Sequence, residues 1–181
     1  MSKTIIIYNS KYGHTKRYAQ WLAEAVQADI CENKNVNAEK LNGYDTVVFG
    51  SSIYAGRNKG AVALAKHFER IKDKKIVLFT VGIYNPESES NIEKINEDLN
   101  KTLTPEMREK TAIFHLRGGI DSPNLSVPYK IMLKFVHSVL AKKVENELSD
   151  ADRDILAVYG KTVDFSDRRM LEPIINLIQI K

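Results

Sequence analysis

The stretch Thr4-Ile5-Ile6-Ile7-Tyr8-Asn9-Ser10-Lys11-Tyr12-Gly13-His14-Thr15 decides the fold. Residues 5–8 form an unbroken apolar run of strand length, as expected for a strand covered on both faces. Asn9 to Gly13 are short, polar or turn-forming, and Thr15 opens an amphipathic stretch of helical period. A strand that turns directly into a helix aims several backbone N–H groups, and the positive end of the helix dipole, at one spot. That spot suits a phosphate dianion, and the hydroxyls of Ser10 and Thr15 supply two further donors. The loop is not a Walker A sequence, because no Gly-Lys-Ser/Thr follows Gly13. It also lacks the Gly-x-Gly-x-x-Gly of dinucleotide sites.

Outward from this stretch the chain alternates strand and helix. Tyr18, Trp21, Leu22, Ala25 and Val26 fall on one helical face. A short strand is expected at 28–32, further strands at 46–50, 76–81 and 111–116, and a helix around Ala61, Leu64, Ala65 and Phe68. Ser90-Asn91-Ile92-Glu93 reads as a capping box that opens a helix bearing Ile95 and Leu99. Two more helices are expected, at 127–143 and at 166–180. Five strands separated by helices give a doubly wound five-stranded parallel sheet, an α/β three-layer sandwich. With 181 residues and no Pro/Gly-rich linker or repeat, residues 1–181 are expected to form a single domain.

Composition narrows the function. No stretch approaches the roughly 18 apolar residues of a membrane span, and the start runs straight into a strand without a signal peptide, so a cytoplasmic protein is expected. Cys31 stands alone and reads as a small, half-buried apolar residue. The net charge of +4 is modest, with dispersed lysines that do not suggest nucleic-acid binding. His14, His67, His115 and His137 are too scattered for metal-ligand spacing, so no metal is expected. A phosphorelay receiver needs carboxylates where Asn9-Ser10 and Ser51-Ser52 stand, and a serine hydrolase needs a Gly-x-Ser-x-Gly elbow, which is absent.

In a doubly wound sheet, ligands bind beyond the carboxyl ends of the strands. Three loops leave those ends together, at 9–15, 51–60 and 80–88. Ile53-Tyr54-Ala55-Gly56 in the second and Val81-Gly82-Ile83-Tyr84-Asn85 in the third are apolar and aromatic. Two such loops opposite a phosphate loop fit a planar heteroaromatic ring joined to a phosphate.

This combination resembles the flavodoxin-like family, whose members bind flavin mononucleotide (FMN). The resemblance implies that Ser10, Lys11, Tyr12, Gly13, His14 and Thr15 hold the phosphate. It further implies that Ile53, Tyr54, Ala55 and Gly56 line one side of the flavin, and Val81, Gly82, Ile83, Tyr84 and Asn85 the other. Asn9 departs from the hydroxyl residue common at its place. More narrowly, Ser52-Ile53-Tyr54-Ala55-Gly56, the Arg117-Gly118-Gly119-Ile120-Asp121-Ser122-Pro123 segment and the helix after it resemble the flavodoxin-like protoporphyrinogen dehydrogenases. That likeness implies an FMN oxidoreductase acting on a protoporphyrinogen-like substrate with a quinone acceptor, and Arg57, Arg117 and Tyr84 are its candidate substrate-side groups. The alternative is a flavodoxin-type electron carrier that docks redox partner proteins.

Residues 127–143 carry Lys130, Lys134, Lys142 and Lys143 and no acid. The simpler expectation is that Ile131, Phe135 and Val139 pack on the sheet while the lysines are solvated. The other is a basic amphipathic helix resting peripherally on an anionic membrane.

Overall fold

The computed structural model describes residues 3–54 and 57–180, with Tyr54 and Arg57 described by their backbone alone. β1 (Thr4–Asn9), β2 (Asp29–Glu32), β3 (Thr46–Tyr54), β5 (Lys75–Gly82) and β6 (Thr111–Arg117) form a parallel sheet in the order β2-β1-β3-β5-β6. The two-residue β4 (Arg57–Asn58) turns back antiparallel onto the end of β3. The chain runs from β1 outward to β2 and then returns to the other side of β1 for β3. The order reverses there, and the crevice opens at the carboxyl ends of β1 and β3.

Alternation along each strand feeds two apolar layers. Ile5, Ile7, Val47, Phe49 and Leu78 meet α2 (Lys59–Ile71) and α3 (Glu89–Asn100) through Leu64, Phe68, Ile71, Ile95 and Leu99. Ile6, Tyr8, Val48, Val77 and Phe79 meet α1 (His14–Val26) and α7 (Glu172–Gln179) through Tyr18, Leu22, Ile174 and Ile178. Gly50 faces Phe79 across the β3–β5 ladder, and a Cβ at Gly50 would lie 2.5 Å from the Phe79 ring. The ring therefore fills the space a side chain would take.

Between β6 and α7 the chain builds more than the expected single helix. β7 (Gly119–Asp121) pairs antiparallel with β8 (Thr162–Asp164), and α5 (Val127–Leu140) and α6 (Asp150–Val158) lie between them. Ile120, Leu125, Leu133 and Val158 form a small core of their own, and Tyr12 and Ile83 from the first and third loops pack against it. The added segment thus leans on the crevice rather than away from it. A short helix, α4 (Pro105–Glu109), precedes β6 and is capped by Thr104.

Several boundaries differ from expectation for identifiable reasons. α3 is capped by Ser88, whose Oγ accepts the Asn91 N–H at 3.3 Å, and not by Ser90. Both serine hydroxyls donate to Asp150 of α6, so the cap was chosen by a partner distant in sequence. The expected helix at 166–180 is a 3₁₀ turn (Arg168–Leu171) followed by α7, with Pro173 in the first turn of α7. The expectation that Ile131, Phe135 and Val139 pack on the sheet is incorrect. They are 65%, 69% and 47% exposed, and Val127 is 67% exposed. The opposite stripe of α5 is buried instead, through Leu133 and Leu140.

Candidate functional site

The first loop has the backbone its sequence requires. Gly13 adopts φ +96° and ψ −26°, a left-handed conformation open to glycine at little cost. Its N–H donates to Ser10 Oγ at 3.1 Å, and its carbonyl accepts the Arg17 N–H at 2.9 Å as α1 begins. No side chain caps this helix, and its first turn holds no acid. The first N–H groups of α1 therefore have no helical acceptor and keep their full attraction for an anion. Thr15 is buried in the same turn.

His14 takes a different part. Its Nδ1 lies 3.2 Å from Ser166 Oγ and 3.4 Å from Asp164 Oδ1, tying α1 to the end of β8. Burial lowers the pKa of this imidazole, against the opposing pull of Asp164. Burial works to raise the Asp164 carboxyl, but hydrogen bonds from Arg17 and Ser166 outweigh it and hold it at about 2. A Cβ at Gly119 would lie 2.8 Å from His14 Cε1 and 2.2 Å from the Val163 carbonyl. The missing side chain at Gly119 is what lets the β7–β8 ribbon lie against the histidine.

The second and third loops face the first. Ser52 and Ile53 from β3, and Val81, Gly82, Ile83 and Tyr84 from the end of β5, line one cavity with Ser10, Lys11, Tyr12, His14 and Thr15. Burial pushes the Tyr84 hydroxyl pKa up. Ala55, Gly56 and the Tyr54 and Arg57 side chains lie outside what the structure describes, so these expected contacts are not placed. Asn85 is turned away from the cavity: its N–H donates to Asp154 Oδ2 at 2.8 Å and its carbonyl accepts from buried Asn91 at 3.0 Å. Arg117 also does not line the cavity. Its Nη2 donates to Asp154 Oδ1 at 2.8 Å, its Nε to the Ile83 carbonyl at 3.2 Å, and its guanidinium lies 4.0 Å from the Phe165 ring. Arg117, expected as a substrate-side group, is thus paired with a carboxylate of α6 outside the cavity lining.

The cavity measures about 370 Å³, within the usual range for small-molecule sites. Its polar end is the first loop. Much of the rest is apolar wall supplied by the added segment: Ile120, Leu125, Tyr129, Met132, Leu133 and Ile155. Sequence reasoning missed this wall. Its signal was the second apolar stripe of α5, at positions 129, 133, 136 and 140, which competes with the stripe at 127, 131, 135 and 139. Lys11 Nζ lies 3.6 Å from the centre of the Tyr129 ring, joining the first loop to α5.

The chain is similar in part to known flavodoxins. Flavodoxin FldP of Pseudomonas aeruginosa is 39% identical over 62 residues, 31% of this chain and 34% of that protein. A flavodoxin of Maridesulfovibrio salexigens is 35% identical over 95 residues, 45% of this chain and 64% of that protein. The matched part is thus about a third of the first relative and somewhat under two thirds of the second. Among solved structures, the two-electron reduced flavodoxin of Megasphaera elsdenii superposes with a TM-score of 0.42 at 18% identity, over 61% of this chain and 85% of that one. A family model described as the Flavodoxin domain matches residues 5–147. The chain belongs to the Flavodoxin domain family.

Proposed function

We propose that this chain binds FMN in the crevice and carries electrons between redox partner proteins. The observation that supports this best is the first loop: a left-handed Gly13 and an acid-free helix start at one end of a largely apolar cavity. The donor set fits a phosphate, through the Ser10 and Thr15 hydroxyls, the backbone N–H groups of 14 and 15 and the cation of Lys11. His14 would contribute its backbone there, since its ring is held by Ser166 and Asp164. Ile53 and Ile83–Tyr84 would flank the ring, with Tyr54, Ala55 and Gly56 completing the second loop. When bound, FMN supplies the reversible uptake of electrons, and the protein supplies position and exclusion of water.

The test is direct. Added FMN is expected to lose its fluorescence stoichiometrically on titration with the apoprotein, and the reduced, loaded protein is expected to pass electrons to cytochrome c. A colourless protein that leaves FMN fluorescence unchanged would overturn the proposal.

A second reading is favoured by the apolar wall of the added segment, which leaves room for a small organic molecule beyond the phosphate loop. It is oxidation of a protoporphyrinogen-like substrate with a quinone acceptor. Loss of the visible flavin absorbance on anaerobic addition of protoporphyrinogen IX would replace the carrier reading. An unchanged spectrum would leave the carrier reading in place.

We also propose that α5 rests on an anionic bilayer. Val127, Ile131, Phe135 and Val139 form an exposed stripe at four-residue spacing, and Lys130 and Lys134 are exposed on the same helix. Among the described residues no helix is long and apolar enough to cross a membrane, so the contact would be peripheral. Each lysine at an anionic surface contributes about 1 kcal/mol. The protein is expected to sediment with phosphatidylglycerol vesicles at low salt, and Phe135→Asp to reduce the bound fraction at least tenfold. Equal sedimentation of the two proteins would sink this contact.

A further inference from the structure

We infer that Arg117 and Asp154 act together as a positioning pair that fixes Tyr84 against the ligand, an inference that rests on the FMN reading. Tyr84 has a peptide on either side, and the pair holds both. The Ile83 carbonyl, in the peptide before Tyr84, accepts from Arg117 Nε at 3.2 Å. The Asn85 N–H, in the peptide after it, donates to Asp154 Oδ2 at 2.8 Å. The two side chains are joined to each other at 2.8 Å, and Asn91 Nδ2 adds a further donor to the same Asp154 oxygen at 2.9 Å. The side chains are only 23% and 14% exposed, so the bonds are shielded from competing water.

The chain positions of these groups show what the arrangement does. Ile83, Tyr84 and Asn85 belong to the third loop, Arg117 ends β6, and Asp154 sits on α6 in the added segment. Ile83 and Tyr84 line the cavity, whereas Arg117, Asp154 and Asn85 stand behind them. The added segment therefore controls the loop through its backbone rather than by entering the site there. Stability alone accounts poorly for such a pair. A buried ion pair can often be exchanged for apolar residues of similar volume at no loss, since desolvation offsets the attraction. What an apolar pair cannot reproduce is the hydrogen bonding to two successive peptides.

The deciding variant is the double substitution Arg117→Met with Asp154→Leu, which leaves net charge unchanged and replaces the pair by apolar side chains. The double variant is expected to stay folded but melt below the wild type, since three shielded polar groups lose their partners, and to bind FMN at least tenfold more weakly. Its two-electron midpoint is expected to move by about 30 mV for each tenfold difference between the affinities of the oxidised and reduced forms. The Asn85 amide should also exchange with solvent faster. Should the double variant not fold, Asp154→Asn takes its place, with the same readouts and the same direction expected. Wild-type affinity and wild-type midpoint in a folded variant would overturn the inference and leave the FMN reading intact. Failure of the wild-type protein itself to take up FMN would overturn both.

Discussion

Gly60→Ala is expected to lower the melting temperature by roughly 4–12 °C, for a loss of about 2–3 kcal/mol in a chain of this length. Gly60 lies in the first turn of α2, where alanine would normally help the helix by up to about 1 kcal/mol. Packing reverses that sign. A Cβ at Gly60 would sit 2.4 Å from Ser51 Cβ and 2.9 Å from Ser51 Cα, and backbone cannot swing aside. The same close approach carries a buried hydrogen-bond chain. Gly60 N–H donates to Ser51 Oγ at 2.8 Å, the Ser51 hydroxyl donates to Asn58 Oδ1, and Asn58 Oδ1 also accepts the Ala61 N–H at 3.1 Å. Pushing α2 outward stretches these bonds together, and each is worth about 1 kcal/mol net. Overpacking of about 1–3 kcal/mol plus the weakened bonds exceeds the propensity gain. Gly43→Ala is the control, because nothing lies within 4 Å of a Cβ there, and it should leave the melting temperature nearly unchanged. Equal melting of the Gly60→Ala protein and the wild type would show that α2 is free to shift from β3.

The legible part of this fold was local. An apolar run such as 5–8 announces a strand buried on both faces within four residues, and the period-2 alternation of Ile5, Ile6, Ile7 and Tyr8 divides them between the two layers. The first loop was legible for the same reason, since its glycine, hydroxyls and helix start are contiguous. The parts that were misread depend on partners far away in the chain. Asn85 and Arg117 both look available to a ligand in sequence, yet Asp154 takes each of them across 69 and 37 residues. Helix α5 is apolar on two stripes, and periodicity has no means of choosing which one is buried. The choice was made by the β7–β8 ribbon and α6, which place a small core around Leu133. One local signal was overlooked: Ser149 and Asp152 form a reciprocal capping box at the start of α6. Aspartate in place of the usual glutamate or glutamine made it less conspicuous.

Gly13→Val is expected to weaken FMN binding by about 10- to 100-fold while changing riboflavin binding little. The argument is one of backbone alone, since nothing lies within 4 Å of a Cβ at this position. A non-glycine residue held in the left-handed region costs of order 1–3 kcal/mol, and a β-branched one sits at the upper end. At about 1.4 kcal/mol per tenfold, that range corresponds to the stated loss if the bound loop must keep φ near +96°. Relaxation of the loop would turn the Gly13 N–H off Ser10 Oγ and swing the N–H groups of α1 away from the phosphate. Riboflavin has the same ring and no phosphate, so its affinity reports the second and third loops and is insulated from the first. Gly13→Asn provides the intermediate case, because asparagine tolerates this conformation better than valine. The ordering Gly, then Asn, then Val for FMN, with a flat series for riboflavin, is the expected result in fluorescence titrations. A parallel fall for both ligands would mean that the first loop supports the ring. No fall for either would place the phosphate elsewhere in the crevice.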